Sequence, residues 1–219
     1  MHRAEELIAR NIPTLTRETP VNEALYLMDE WGVTDLPMLE NGKYIGLASE
    51  SNFLDLQEIE SDTLVELQIS PVSVLPQAHT LDILSVASKH AVSVIPVVDG
   101  KDMYLGSVRS DELLTEIATM LGAHVEGGIV VMHLSERDHS ISQIARIIEE
   151  NGAKILSLSV SPLPEGDLEL CAKIDRPDLN AIVQSLKRFN YRVVEQIQDS
   201  QFDQDIRSRY DELMRYLNI

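Results

Sequence analysis

Two stretches of this chain repeat one pattern: VTDLPMLENGKYIGLASESNFLD at residues 33–55 and VSVIPVVDGKDMYLGSVRSDELLT at residues 92–115, with Gly46 and Gly106, sixty residues apart, in matching places. A single repetition of so short a unit limits the fold severely. Neither copy holds enough apolar residues for a core of its own, so the two must pack as a pseudo-symmetric pair. Pairs of small modules tend to hold ligands in the cleft between their halves. In the first copy Val21, Leu25, Met28 and Trp31 fall at helical spacing, with Glu23, Asp29 and Glu30 off the stripe. Two short strands follow, Asp35 to Leu39 and Tyr44 to Ala48, joined through Asn41-Gly42, a pair that tolerates the positive φ of a tight hairpin. A helix then opens at Ser49 or Glu50. The second copy keeps the order: a helix in TLDILSVASKHA, a strand from Val94 to Val98, the turn DGKD, a strand from Met103 to Val108, and a helix from Ser110. The opening MHRAEELIARNI reads as a short amphipathic helix.

Charge narrows the choice of ligand. The net charge is −18, and residues 1–120 carry seven Lys and Arg against twenty Asp and Glu, while residues 121–219 carry eleven against sixteen. Such a field repels phosphate backbones, which argues against nucleic acid. No run of eighteen apolar residues and no charged-then-apolar leader is present, so neither a membrane span nor secretion is expected. The single cysteine, Cys171 in LELCAKI, reads as a buried strand thiol, which suits a reducing cytoplasm.

The motifs LPML with GLASESN, and IPVV with GSVRSDE, resemble the CBS domain, which occurs in tandem pairs called Bateman modules. The resemblance implies a helix-start hydroxyl that holds a phosphate, a later Asp that holds the ribose hydroxyls, and apolar strand residues that sandwich an adenine. A capping hydroxyl beside helix N–H groups suits an anion, and a carboxylate accepts from a cis-diol. Carried over, Ser49 supplies the hydroxyl and Asn52 the ribose contact in the first copy, while Arg109 and Glu112 hold those places in the second. Ile12, Pro13 and Thr14 occupy the position of the short strand that lines the cleft. For several residues a second reading stays open. Ser49 serves equally as a plain helix cap. Arg109 either reaches a phosphate with its planar fork or pairs with a nearby carboxylate. Gly46 and Gly106 either admit a ligand or mark a bend or bulge, and Pro37 and Pro96 read as strand-edge residues.

From residue 127 the order changes. GGIVVMHLS is a strand, SISQIARIIEENG a helix with Ile141, Ile144 and Ile148 on one face, and AKILSLSVSP and LELCAKI are strands about the turn PLPEGD. DLNAIVQSLKRFN is a second helix and YRVVEQI a last strand, giving the βαββαβ order of a ferredoxin-like unit. This segment resembles an ACT domain, and two CBS modules followed by such a unit resemble the architecture of acetoin-utilisation proteins. The resemblance implies an amino-acid site in the loop RDHSI, with Asp138, His139 and Ser140 as its residues. Beyond it, Ile206, Tyr210, Leu213 and Leu217 make one stripe on a terminal helix, open to docking on its own chain or to pairing with another subunit.

The expected fold class is therefore α+β, with a CBS module over 1–60, a second over 61–122, an ACT-like domain over 126–199 and a helix over 200–219. No P-loop, dinucleotide fingerprint, GxSxG, CxxC or HExxH appears, and the six histidines have no ligand spacing, so neither catalysis nor a bound metal is expected. What remains is a regulatory protein whose paired modules sense AMP, adenosine or S-adenosylmethionine, with no required cofactor. The ACT-like unit would add oligomerisation, as a homodimer, or a second ligand. A scaffold with decayed sites, and an amino-acid sensor using the ACT-like unit alone, are the competing expectations. A regulated protein partner belongs with the first of these.

Overall fold

The computed structural model describes residues 2–53, 64, 68–135 and 140–197. The chain divides into two units, Met1–Ile117 and Ala118–Ile219, and each is described by itself.

In the first unit, helix α1 (Val21–Trp31) starts behind Pro20 and buries Val21, Ala24 and Met28. Leu25 and Trp31, expected on the buried stripe, are half-buried at its margin, because Ala24 takes the closest approach to the core. Gly32 ends the helix in the left-handed conformation, its N–H bonded to the carbonyls of Met28 and Asp29. Strands β1 (Asp35–Glu40) and β2 (Lys43–Ser49) pair antiparallel about Asn41 and Gly42, whose φ values of 50° and 79° are those the Asn-Gly pair predicts. The second module repeats this with helix α2 (Thr80–His90), strands β3 (Val94–Val98) and β4 (Tyr104–Arg109), and helix α3 (Ser110–Met120). Its hairpin is one residue longer: Leu39 faces Tyr44 in the first, whereas Val98 faces Tyr104 in the second. The Asp99 carboxylate accepts the Lys101 and Met103 N–H groups at 2.8 and 2.9 Å and closes the larger loop.

The two modules exchange edges. The segment before module one lies on module two: Ala9 exchanges backbone hydrogen bonds with Ser107 of β4 at 2.8 and 3.3 Å. The segment before module two lies on module one, where Ser70 and Leu47 of β2 do the same at 2.8 and 3.1 Å. The opening residues are thus not the expected amphipathic helix. One 3-10 turn, Ala4–Glu6, forms, and the N–H groups of Ala4 and Glu5 go to the carbonyls of Ala78 and Pro76 instead of to a helix ladder. Ala4 is buried in the core of module two with Ile83, Ile95, Val97 and Val108, and Leu7 and Ile8 pack against it. Gly46 and Gly106 make this exchange possible. A Cβ at Gly46 would stand 2.8–2.9 Å from three side-chain atoms of Ile69, and one at Gly106 would stand 2.2 Å from Ile8 Cγ2 and 3.2 Å from the Ala9 carbonyl oxygen. Each glycine admits the other module's arriving segment, and each faces a β-bulge, at Met38/Leu39 and at Val97/Val98. Pro37 and Pro96 are buried, and their carbonyls accept from Leu15 and Val74, which run parallel beside the first strand of each module.

The second unit is one four-stranded antiparallel sheet in the order β6–β7–β5–β8, made of β5 (Gly128–Ser135), β6 (Ile155–Pro162), β7 (Asp167–Ile174) and β8 (Arg192–Ile197). Helices α4 (Ile141–Glu150) and α5 (Asn180–Arg188) connect β5 to β6 and β7 to β8, so each crossover skips one strand, as the βαββαβ order predicts. β5 alternates strictly: Val130, Met132 and Leu134 enter the core with Ile144, Ile147, Ile148, Ile182 and Leu186. Ile141, expected on the buried face, is 43% exposed, and Ile147 takes that role. Cys171 sits opposite Val131, half-buried where burial was expected; desolvation, with Glu169 and Glu195 nearby, raises its thiol pKa, so it has no activated-thiolate character. Asp138, His139 and the terminal helix over 200–219 lie outside the described residues.

Candidate functional site

Both motif turns are hung on the residue that precedes the first strand of their module. Glu50 N–H donates to the Thr34 carbonyl at 2.9 Å, and Ser110 N–H to the Ser93 carbonyl at 3.0 Å. Thr34 and Ser93 also join the modules. The Asp35 carboxylate, 3% exposed, accepts from Ser93 N–H at 2.7 Å, Ser93 Oγ at 2.8 Å and Thr34 Oγ1 at 2.9 Å. Ser93 Oγ in turn accepts from the N–H groups of Thr34 and Asp35 at 2.9 and 3.1 Å. This closed polar knot satisfies a carboxylate that would otherwise be costly to bury. At the far end the hairpin tips meet: Tyr44 N–H donates to the Asp102 carbonyl at 2.9 Å, and Lys43 bridges to Met103. The Tyr44 hydroxyl donates to the Val72 carbonyl, and burial, with Tyr104 beside it, holds its pKa far above the ordinary phenol value.

Between these two anchors the motif residues differ. In the first copy Ser49 ends β2 and a 3-10 turn, Glu50–Asn52, follows. Ser49 N–H donates to Asn52 Oδ1 at 3.4 Å, and Ser51 Oγ donates to Ser49 Oγ at 3.3 Å, so both residues hold bonds inside their own module. Ser49 and Asn52 are partly exposed side by side. Thr14 is exposed, whereas Ile12 is 4% exposed and belongs to the core of module one. A cavity of about 450 Å³ opens beside this turn, lined by module-one residues, among them Leu25, Met28, Asp29, Val33, Thr34 and Glu50, and by neither Ser49 nor Asn52. Apolar walls with two anionic groups, next to the carbonyl end of α1, suit a flat apolar ligand that is neutral or positive.

The second copy is arranged otherwise. Arg109 Nε and Nη2 grip the Asp111 carboxylate at 3.0 and 2.8 Å, and Nη1 crosses the interface to the Trp31 carbonyl at 2.9 Å, at the C-terminus of α1. The contact raises the Arg109 pKa and lowers that of Asp111, the shared hydrogen bond being the main cause of both. Glu112 is exposed, and its N–H donates to Asp111 Oδ1 at 2.9 Å. Of the two readings of Arg109, the geometry shows the carboxylate partner. The Asp35–Ser93 knot is what sequence reasoning missed. Its signal was present, since DLPML carries an acid where VIPVV carries Val94.

In the second unit, a cavity of about 370 Å³ lies between the end of β5 and the start of β8, with His133, Gln143, Phe189 and Arg192 in its wall. Tyr191 donates to Gln143 Oε1 at 2.8 Å there, and Ser140 Oγ accepts Gln143 N–H at 3.3 Å as the cap of α4. Among the described residues no cluster of His, Cys, Asp and Glu is placed to hold a metal ion, and no helix is long and apolar enough to cross a membrane.

Residues 4–58 and 65–119 each match the CBS domain. The chain belongs to the CBS domain family. Inosine-5'-monophosphate dehydrogenase of Thermoplasma acidophilum is 24% identical over 115 residues, which is 52% of this chain and 23% of that enzyme. The chain spans less than half the length of the curated relatives it matches. Among solved structures, a Vibrio cholerae protein described as an acetoin utilization protein (AcuB) is 28% identical with a TM-score of 0.49, over 57% of this chain and 96% of that one. The CBS domain pair of MJ0100, solved with 5'-methylthioadenosine and S-adenosyl-L-methionine, is 18% identical with a TM-score of 0.46, over 53% of this chain and 99% of that one.

Proposed function

We propose that this CBS-domain chain is a non-catalytic regulatory protein whose module pair senses an adenine-containing metabolite beside Ser49 and Asn52. The observation that carries the reading is the roughly 450 Å³ cavity between α1 and the first motif turn, where Leu25, Met28 and Val33 stand with Asp29 and Glu50, and where Ser49 and Asn52 flank Glu50 in the chain without lining the cavity. Two carboxylates and a helix C-terminus disfavour a polyphosphate, so the order of preference is S-adenosylmethionine, then adenosine, then AMP, with ATP last. Ser49 and Asn52 supply the neutral hydrogen-bonding edge for the ribose. Signal arises only if the ligand prefers one arrangement of the paired modules over another. The setting proposed is a cytoplasmic homodimer with a protein partner.

Thermal unfolding in the presence of each of the four compounds tests this. A ligand at a hundred times its dissociation constant adds about 2.7 kcal/mol to the stability of the unit that binds it. Asn52→Asp, which offers the ribose a carboxylate, is expected to tighten binding, and Ser49→Ala to weaken it. No shift with any of the four compounds refutes the reading.

The roughly 370 Å³ cavity of the second unit favours a further reading, that this ACT-like unit holds an amino acid beside Ser140 with Arg192 toward its carboxylate. A panel of amino acids applied to the full chain decides it. A response that survives in the Ser49→Ala, Asn52→Ala chain but is lost in Arg192→Ala supports this reading, and silence across the panel removes it.

A further inference from the structure

The two motif turns hold equivalent places in the repeat, yet among the described residues it is the second whose side chain spans the modules. Ser49 bonds to Asn52 and Ser51 of its own module. Arg109, in the same place, has one end on Asp111 and the other on the Trp31 carbonyl of the opposite module. Its side chain is 22% exposed while that of Asp111 is 64% exposed, so the guanidinium lies inside and its carboxylate partner outside. The carbonyl it takes is one of those that a helix C-terminus leaves without an intrahelical partner, and a cation there also meets the negative end of the helix dipole. A ligand bridging two modules would make the same kinds of contact: a polar group at the motif turn, and a body reaching the neighbouring module.

We infer that Arg109 is the built-in occupant of the second cleft, standing where a ligand would otherwise join the modules, and that it limits the pair to one adenine ligand. This rests on the reading that the pair binds such a ligand at Ser49 and Asn52. The fork geometry accounts for the residue type. Nε and Nη2 hold the carboxylate while Nη1 points away from it to the carbonyl, a two-sided contact that a lysine ammonium cannot reproduce. Asp111 keeps the fork oriented and offsets its charge. The modules are thereby clamped on one side, and only the Ser49 side is left to respond.

Isothermal titration with S-adenosylmethionine, and separately with adenosine, on the full chain tests this by stoichiometry. The wild-type chain is expected to bind one molecule, and Arg109→Thr, which restores the family hydroxyl, to bind two. Trp31 is the only tryptophan in the chain, so its emission reports on the carbonyl that Arg109 holds. It is expected to change on Arg109→Thr, and to change again as the second molecule binds. If Arg109→Thr loses its cooperative melting transition, Arg109→Lys carries the test, with a second and weaker binding event expected. Two binding events in the wild type overturn the inference, as does the lack of an added event in the folded variant. One event in both chains removes this inference and leaves the Ser49 reading intact. No event in the wild type but one in Arg109→Thr removes the Ser49 reading and, with it, the one-ligand limit inferred here.

Discussion

Gly106→Ala puts the exchanged edge to the test. The new Cβ would lie 2.2 Å from Ile8 Cγ2, where carbon atoms prefer about 3.5–4.0 Å, and 3.2 Å from the Ala9 carbonyl oxygen. Ile8 branches at Cβ and has few rotamers to escape into, and the Ala9 backbone is tied to Ser107, so the arriving segment must lift from β4. Overpacking of this kind costs about 1–3 kcal/mol. The φ of 140° adds about 1–3 kcal/mol for any residue with a Cβ. Together the loss is about 3 kcal/mol, or roughly 12 °C in the melting temperature of a unit of this size at about 4 °C per kcal/mol. A double-mutant cycle separates the two parts. In Ile8→Ala the clashing methyl is gone, so Gly106→Ala on that background should cost only the backbone share, leaving a coupling of about 1–2 kcal/mol. Urea unfolding of the four proteins measures it. A Gly106→Ala chain within about 0.5 kcal/mol of wild type, or an additive cycle, would contradict a clash between this Cβ and Ile8. At Gly46 the approach is 2.8 Å and to side-chain atoms alone, so Gly46→Ala should cost less than Gly106→Ala.

Asp35→Ala is expected to lower stability by about 2–4 kcal/mol, because it strands the Ser93 N–H and hydroxyl inside the module interface, while Asp35→Asn should cost less since its amide oxygen still accepts; equal losses in denaturant melts would contradict this. Tyr44 makes stability fall in alkali. Its phenol is held neutral in the folded unit, with a pKa above the unfolded value of about 10, so its contribution is complete below that pH and is lost as pH rises beyond it. Melts between pH 8 and 11 should show that loss, and Tyr44→Phe should flatten it at a cost near 1 kcal/mol at neutral pH. An unchanged slope in Tyr44→Phe would assign the loss to other groups.

Much of the architecture was legible because it rests on local rules. Asn41-Gly42 named its own turn, the β-branched apolar run GGIVVMHLS marked β5, and the order of elements in residues 127–197 implied the skipped-strand topology. Errors fell where a short segment meets a distant partner. MHRAEELIARNI has a helical pattern, yet twelve residues gain little as a free helix, and the open edge of β4 offers hydrogen bonds and a hydrophobic seat together. The two copies are also offset unevenly, since the longer second hairpin leaves Val97 59 residues from Met38 while Gly106 is 60 from Gly46.

By itself the sequence established a paired module and the inequality of Ser49 and Arg109 at equivalent places. These follow from composition and spacing, which any segment carries with it. Tertiary structure alone decided what the inequality does. Whether Arg109 waits for a phosphate or reaches the Trp31 carbonyl depends on how the end of α1 approaches β4, a contact 78 residues apart in the chain. The same holds for Asp35, an acid in an apolar strand until Ser93 comes within 2.7 Å of it from the other module. Local patterns fix elements because their hydrogen bonds are local. Clefts are made where elements from different modules meet, so their chemistry is settled only once both sides are in place.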